Sequence, residues 1–230
     1  MINIFPHDPL TFSAYEITLW LENCQSRHKD TCHRIDRVRN HGGEGDFFVI
    51  NVDDMRIDSV PRTSEYIALS YVWGKSQSDH IEEFCLRKSN LERLRTPNAL
   101  SREDLPATVA DTISLVKLLG YSYLWIDRLC IIQDDDAERM RHQLDAMGET
   151  YSGSVFTIAA VAGDDAHFGL PGVPGSSKTR LTTAFTESPV PVFETLIDDS
   201  IWNCRAWTYQ ERMCSRRCLY ITNNKLFFQC

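Results

Sequence analysis

One set of side chains that could bind a ligand follows a short apolar run in the first third of the chain. Ser70, Tyr71, Trp73 and Gly74 come at the end of the run that begins at Tyr66. This run is typical of a buried strand, and ligands collect at the carboxyl ends of parallel strands. A hydroxyl group and aromatic rings beside a glycine turn would suit a nucleotide. The alternative is that these side chains pack in the core and that the glycine only makes a turn.

A second set follows the densest apolar run of the sequence. Tyr123–Ile126 has no polar alternation, which predicts a strand buried on both faces. Asp127 and Arg128 then place two opposite charges at its carboxyl end. They either line a pocket there, or Asp127 caps the following turn and pairs with Arg128. The acidic run Asp134–Asp136 precedes a predicted helix and complements the helix dipole, so we infer no metal site from it.

Three residues spaced four apart could bind a metal near the start of the chain. On one helix, Cys24, His28 and Cys32 would form a line of zinc ligands, and His33 is a candidate for the fourth. Structural zinc sites use four ligands, however. We therefore favour a core role for Cys24 and a surface position for His28 and Cys32 near a helix end. On this interpretation the protein has no metal cofactor.

Composition excludes several classes of protein. The chain has 230 residues and a net charge of −8, which argues against non-specific binding to nucleic acids or anionic membranes. No apolar run approaches the roughly 20 residues of a membrane-spanning helix, and the N-terminus does not resemble a signal peptide. The eight cysteines are then expected to be reduced thiols in a cytoplasmic protein.

Helical patterns alternate with short apolar runs along most of the chain, which predicts an α/β fold with a mainly parallel sheet. Residues 1–65 read as a helix and a β-hairpin, a lead-in packed on the core. Residues 66–230 form the main domain, with a loop insertion near 164–195 that is rich in Gly, Pro, Ser and Thr. The predicted strands are 47–52, 55–60, 66–74, 123–126, 155–160, 218–222 and 226–229. The predicted helices begin near 13, 106, 137 and 202.

Three blocks of sequence together resemble the fungal heterokaryon-incompatibility (HET) domain. They are Tyr66–Gly74, then Leu105–Gly172 with Tyr123–Gln133 inside it, and Arg205–Leu219. Their order and spacing match as well as their residues, so the resemblance covers about 66–230. HET domains usually begin longer proteins, and we therefore expect this chain to be an excised part of one. The resemblance implies a role in programmed cell death after fusion of incompatible fungal cells.

The chain departs from the family pattern at three positions. Arg128 replaces a usual small serine, Ala206 replaces a common glycine, and Gln229 stands where an acid is usual. If that acid were catalytic, Gln229 would remove the activity.

HET domains are thought to be distant relatives of Toll/interleukin-receptor (TIR) domains, which implies a TIR-like, flavodoxin-like sheet. Trp207 and Glu211 are similar to the Trp-Cys-x-x-Glu motif of TIR domains, with the same spacing of four. In enzymatic TIR domains that glutamate is the catalytic residue for cleavage of NAD+. The insertion at 164–195 is a departure that separates this helix from the preceding strand.

The resemblance thus implies chemistry that a single carboxylate can perform. Nicotinamide leaves NAD+ as a neutral molecule, so no general acid is needed, unlike ordinary glycoside hydrolysis. Glu211 would hold the ribose hydroxyls and face the cationic centre that develops, and Trp207, Trp73 or Tyr71 could stack on a ring. The structural alternative is that Glu211 only forms an ion pair with a nearby arginine, the candidates being Arg205, Arg212, Arg216 and Arg217.

Two functions therefore follow as expectations. The first is an NAD+-cleaving cell-death effector, active when oligomerised, with NAD+ or a related nucleotide as its substrate. The second is a non-enzymatic module that acts by homotypic assembly and recruitment, through the surfaces of 138–151 and 75–102. Both imply self-association and a C-terminal or partner regulatory domain, with no nucleic acid or membrane as partner.

Overall fold

A computed structural model of the chain describes residues 2–3, 13–28, 32, 47–74, 84–176, 178, 193–223 and 225–230. The strands are β1 (Ile2–Asn3), β2 (Phe47–Asn51), β3 (Arg56–Val60), β4 (Ile67–Ser70), β5 (Tyr123–Trp125), β6 (Thr157–Ala160), β7 (Cys218–Ile221) and β8 (Leu226–Gln229). The helices are α1 (Ala14–Arg27), α2 (Leu91–Leu94), α3 (Ala107–Leu118), α4 (Asp127–Cys130), α5 (Ala137–Asp145), α6 (Met147–Gly153), α7 (Phe193–Asp198), a 3-10 turn (Trp202–Cys204) and α8 (Ala206–Cys214). Within these described residues, no helix combines the length and apolarity that crossing a membrane requires.

All eight strands belong to one sheet, in the order β1-β8-β7-β6-β4-β5-β2-β3. The four central strands β7, β6, β4 and β5 are parallel, whereas the strands outside them pair antiparallel. The α/β class is confirmed, but the expectation of a mainly parallel sheet is wrong, because the sheet is mixed. A short hairpin joins β2 to β3, and another joins β7 to β8. A hairpin reverses the chain direction and makes the two strands antiparallel, whereas a helical crossover makes them parallel.

The order of the parallel strands creates one special position in the sheet. Counted along the chain they are first β4, then β5, β6 and β7, which gives the spatial order 2-1-3-4 of flavodoxin-like sheets. The chain leaves β4 towards β5 on one side and returns to β6 on the other. In such sheets the crevice at the carboxyl ends of the two strands flanking this reversal is where ligands bind.

Several predicted elements differ in detail from the observed ones. The predicted hairpin and the first helix are confirmed as β2–β3 and α1. The helix predicted after Asp136 breaks at Ala146 into α5 and α6, and the one predicted from Trp202 begins with a 3-10 turn. The predicted insertion is not all surface loop, because Leu170 is fully buried and its backbone N–H donates to the carboxylate of Asp111 on α3. Residues 179–192 of the insertion lie outside the described residues.

The N-terminal lead-in shares the core of the main domain. Ile17, Trp20 and Leu21 on α1 are buried in the same apolar cluster as the central strands. The Trp20 ring stacks on that of Phe228 in β8, with the ring centroids 6.0 Å apart. At the other edge, β2 extends the sheet by pairing with β5. The lead-in therefore contributes a helix and three strands, β1, β2 and β3, to a continuous structure.

We expect Gly74 to tolerate a side chain much less than Gly120 does. Both have positive φ angles, +88° and +80°, so alanine at either costs about 1 kcal/mol of backbone strain. A Cβ atom at Gly74 would also lie 2.6 Å from Cβ of Asp165, whereas a Cβ at Gly120 would have no heavy atom within 4 Å. Gly74→Ala should therefore lose about 1–3 kcal/mol more than Gly120→Ala in urea unfolding. Equal losses would contradict the close approach of these two segments.

Candidate functional site

A buried carboxylate at the carboxyl end of β4 is the centre of the candidate site. Glu211 on α8 is only 1% exposed, and its Oε2 accepts a hydrogen bond from the Ser70 hydroxyl. Its Oε1 lies 3.3 Å from Nη2 of Arg205. Ser70 Oγ in turn accepts from the indole N–H of Trp202, at 2.7 Å. The carboxylate is therefore held from the sheet side by Ser70 and from its own helix side by Arg205.

The pKa of Glu211 is raised above the usual value of a glutamate, with burial as the largest cause. Burial raises the pKa of Glu211, while the guanidinium of Arg205 and the two hydrogen bonds lower it. Arg205 Nη1 is buried and, among the described residues, has no hydrogen-bond partner. A buried unpaired donor costs free energy, which a ligand oxygen would recover by accepting from it. Arg205 also lines a cavity.

Asp127 supplies a second carboxylate at the carboxyl end of β5. It accepts a hydrogen bond from the Trp73 indole N–H, at 3.1 Å to Oδ2, and from its neighbour's backbone N–H, at 2.7 Å. Burial, with a further contribution from the Glu211 charge, raises the pKa of Asp127 to about 7. Asp127 is the first residue of α4 and also lines a cavity. Near neutral pH its carboxyl group can accept or donate a proton.

A cavity of about 950 Å³ brings these groups together at the reversal point of the sheet. Its volume is at the upper end of the range for ligand pockets. The walls combine acidic, aromatic and apolar side chains from the ends of β4, β5 and β6 and from α5, α6 and α8. The lining residues are Val72, Trp73, Gly74, Asp127, Ile131, Gln133, Met140, Leu144, Met147, Asp164, Asp165, His167, Ile201, Arg205, Trp207 and Glu211.

The residues named from the sequence fall in three positions. Five of them line the cavity, namely Trp73, Gly74, Asp127, Trp207 and Glu211. Ser70 and Tyr71 do not line the cavity but are buried, and Ser70 donates a hydrogen bond to the Glu211 carboxylate.

Arg128 faces a different space. Its guanidinium lies 4.8 Å from the ring centroid of Trp73, and it lines a neighbouring cavity of about 750 Å³. Trp73 and His167 line both cavities, so the two are adjacent. The other two departures from the family pattern, Gln229 and Ala206, line neither cavity. Gln229 accepts a hydrogen bond from Tyr220 at 2.8 Å, and Ala206 begins α8.

The three candidate metal ligands lie apart from this cavity, on α1 and after it. Cys24 is buried, as expected for a core residue. Cys32 is also buried, so its predicted surface position is wrong, because α1 ends at Arg27 and Cys32 packs in the same apolar cluster as Cys24. His33 lies outside the described residues.

Sequence reasoning missed some of the site. Trp202 is fully buried, and a buried indole N–H usually has an acceptor, but that rule does not say which residue supplies it. Asp164, Asp165 and His167 were assigned to a surface loop. Their place directly after β6 could have identified them, since they follow the carboxyl end of a parallel strand.

Comparison with known proteins identifies one family. The model of the heterokaryon incompatibility protein (HET) family matches residues 66–211. No curated protein and no solved structure matches the chain. The matched region begins at the strand that carries Ser70 and ends at Glu211, so it contains the whole hydrogen-bonded centre.

Asp127→Asn should change how stability depends on pH. In the folded protein the pKa of Asp127 is raised to about 7, above the value of about 3.9 in an unfolded chain. Folded Asp127 thus keeps its proton where the unfolded chain loses it, so stability falls as pH rises from about 4 to 7, by up to about 1.4 kcal/mol per pH unit. Asparagine removes this loss.

The measurement is urea unfolding of both proteins between pH 5 and pH 8. The stability of Asp127→Asn relative to wild type should increase across this range. Asp145→Asn, which changes an exposed carboxyl at the end of α5, is the control and should run parallel to wild type. A pH-independent difference for Asp127→Asn would show that this carboxyl is not held protonated.

Proposed function

The chain belongs to the heterokaryon incompatibility (HET) family, and we propose that it acts by cleaving NAD+ between nicotinamide and ribose, with Glu211 as its catalytic carboxylate. The family gives the chain a role in heterokaryon incompatibility. The observation that carries the finer proposal is the buried Glu211 carboxylate, held by Ser70 and Arg205 where it borders the cavity. We further propose that loss of NAD+ kills the incompatible cell and that clustering of the domain activates the reaction.

The electrostatics of the cavity support a cationic reacting group. Among the described residues, four carboxyl groups line it, from Asp127, Asp164, Asp165 and Glu211, against one guanidinium, that of Arg205. Nicotinamide bonded to ribose carries a positive charge, and the oxocarbenium-like centre that forms at the ribose is positive as well. Acidic walls attract such a group and stabilise the transition state in a site shielded from water.

The reaction needs few further groups. The bond between the nicotinamide nitrogen and the ribose carbon breaks, and its electron pair leaves with neutral nicotinamide. Water then attacks the ribose carbon and releases a proton, giving ADP-ribose. Asp127, which is about half ionised near neutral pH, is placed to accept that proton.

The neighbouring cavity offers a place for the rest of the dinucleotide. Arg87, Arg93 and Arg128 line it, and it adjoins the acidic cavity at Trp73 and His167. Guanidinium groups bind phosphate oxygens well. We propose that the nicotinamide riboside half enters the acidic cavity and that the diphosphate lies towards these arginines. Stacking on Trp73 or Trp207 would orient the nicotinamide ring.

Glu211→Gln tests the proposal because it removes the charge and keeps the shape and the hydrogen bond from Ser70. Concentrated or artificially oligomerised protein is incubated with NAD+, and release of nicotinamide is followed by chromatography. We expect the variant to lose about 100-fold or more of the rate. Glu149→Gln, at an exposed position on α6, should keep it. The proposal fails if wild type releases no nicotinamide under any clustering condition, or if folded Glu211→Gln stays active.

Trp207→Ala tests substrate stacking separately from the chemistry. Trp207 lines the cavity but is 46% exposed, so its loss should leave folding intact. Loss of one stacking contact should raise KM for NAD+ about 10-fold and change kcat less. Tyr15→Ala is the matched control, because Tyr15 on α1 is an aromatic residue that is 74% exposed and does not line the cavity. Equal KM values in the two variants would contradict this placement of the ring.

The second candidate function is assembly without catalysis, and exposed apolar residues on α8 favour it. Tyr209 and Met213 are 74% and 65% exposed. Contact of these two apolar side chains with water costs free energy, which a partner surface would recover by covering them. Of the surfaces expected from the sequence, 75–83 lies outside the described residues, and α5 has no buried residue. Self-association without nicotinamide release, with function kept by Glu211→Gln, would support this candidate. A regulatory domain that follows or joins the chain is part of both proposals.

A further inference from the structure

Four metal-ligating side chains lie together beside α1, three from residues 24–32 and one from position 230. Cys24 lies near the end of α1, His28 follows the helix, and Cys32 lies beyond the turn. Cys230 follows β8 and joins them, and the four ligand atoms all lie within 4.8 Å of one another. Cys230 Sγ is 3.4 Å from Nδ1 of His28. We call these residues the cysteine–histidine cluster.

The chain path explains how this cluster forms. The last α-helical residue is Arg27, and His28 leaves the helix with φ −117° and ψ 40°. The backbone N–H of Cys32 donates to the carbonyl of His28 at 3.0 Å, which keeps these two residues close together. The three N-terminal ligands are thus gathered round one point instead of standing in line along a helix. Cys230 supplies the fourth ligand that the sequence spacing alone did not provide.

We propose that the cysteine–histidine cluster binds a structural zinc ion. Three thiolates and one imidazole form a set that structural zinc sites use, in a closed tetrahedron. Zinc–sulfur distances of about 2.3 Å put tetrahedral ligands about 3.8 Å apart. The cluster therefore needs to contract by about 1 Å at most. Since all four positions are protein ligands, no position is open for a substrate, and the role is structural.

A buried arginine beside the cluster fits the charge of such a site. Zinc with three thiolates and a neutral imidazole carries one negative charge. Arg217 is 6% exposed, and its Nε donates to Cys24 Sγ at 3.1 Å. Its Nη1 donates to the carbonyl of Val155, and no ion pair with a carboxylate is found for it within the described ranges. A buried guanidinium requires an anion nearby, and a zinc-bound thiolate supplies one.

The zinc ion would connect the lead-in to the sheet. Cys24 and His28 belong to α1 and its end, while Cys230 belongs to the end of β8. The same two elements already contact each other through the Trp20 and Phe228 rings. None of the four ligands lines the Glu211 cavity. The zinc site and the proposed reaction can therefore be tested independently.

The first test uses the wild-type chain, purified under reducing conditions. Elemental analysis should find about one zinc ion per chain. Replacement by Co²⁺ should produce the strong visible bands of tetrahedral cobalt together with thiolate-to-cobalt charge transfer. Absence of zinc after purification and after addition of Zn²⁺ would overturn the proposal, as would stoichiometric iron. A disulfide within the cluster, seen as a mass 2 Da lower per bond in non-reducing mass spectrometry, would also overturn it.

Variants then assign the ligands. Cys230→Ser should lose stoichiometric zinc, whereas Cys204→Ser, at an exposed cysteine, should keep it. His28→Cys should also keep zinc, because four thiolates bind it equally well, and its cobalt spectrum should shift accordingly. Arg217→Met should weaken zinc affinity about 10-fold without removing a ligand. Equal zinc content in Cys230→Ser and Cys204→Ser would overturn the assignment even if other variants fail to fold.

Discussion

The hydrogen bond between Ser70 and Glu211 is the contact on which the candidate site depends. It joins the carboxyl end of the central strand β4 to the helix α8, across 141 residues of sequence. A buried carboxylate is costly unless its lone pairs are satisfied, and here Ser70 and Arg205 satisfy them. The Ser70 hydroxyl accepts a hydrogen bond from the Trp202 indole and donates its own hydrogen to Glu211. The chain from indole to hydroxyl to carboxylate fixes the direction of each group.

The sheet explains why this contact borders a cavity. The connection after β4 leads to β5 on one side of β4, and the connection after β5 returns to β6 on the other side. The loops after β4, β5 and β6 therefore separate and leave a crevice. Glu211 reaches this crevice from helix α8, and Asp127 reaches it from the end of β5. Burial is the main cause that raises the pKa of both carboxyl groups, and the charge of Glu211 raises that of Asp127 further. The fold thereby brings two carboxyl groups with raised pKa values to the same crevice.

Much of the fold could be predicted from local patterns, because a strand or helix is specified by its own residues. Apolar runs identified β4 and β5, and helical spacing identified α1. The β2–β3 hairpin could be predicted, but the antiparallel pairing of β2 with β5 and of β1 with β8 could not, because it joins segments that are distant in sequence. Glu211 was found only through its resemblance to a known motif. Neither the contact of Ser70 with Glu211 nor that of Cys230 with the N-terminal ligands has a local signal.

The central claim is that Glu211 meets the ribose of NAD+ in the acidic cavity. The most direct test is a crystal structure of the chain with an NAD+ analogue in which a carbon–carbon bond replaces the labile bond to nicotinamide. The account predicts a ribose hydroxyl within hydrogen-bond distance of the Glu211 carboxylate, about 2.6–3.2 Å, with the diphosphate towards Arg93 and Arg128. An analogue bound elsewhere, or bound in the cavity with its ribose turned away from Glu211, would contradict it.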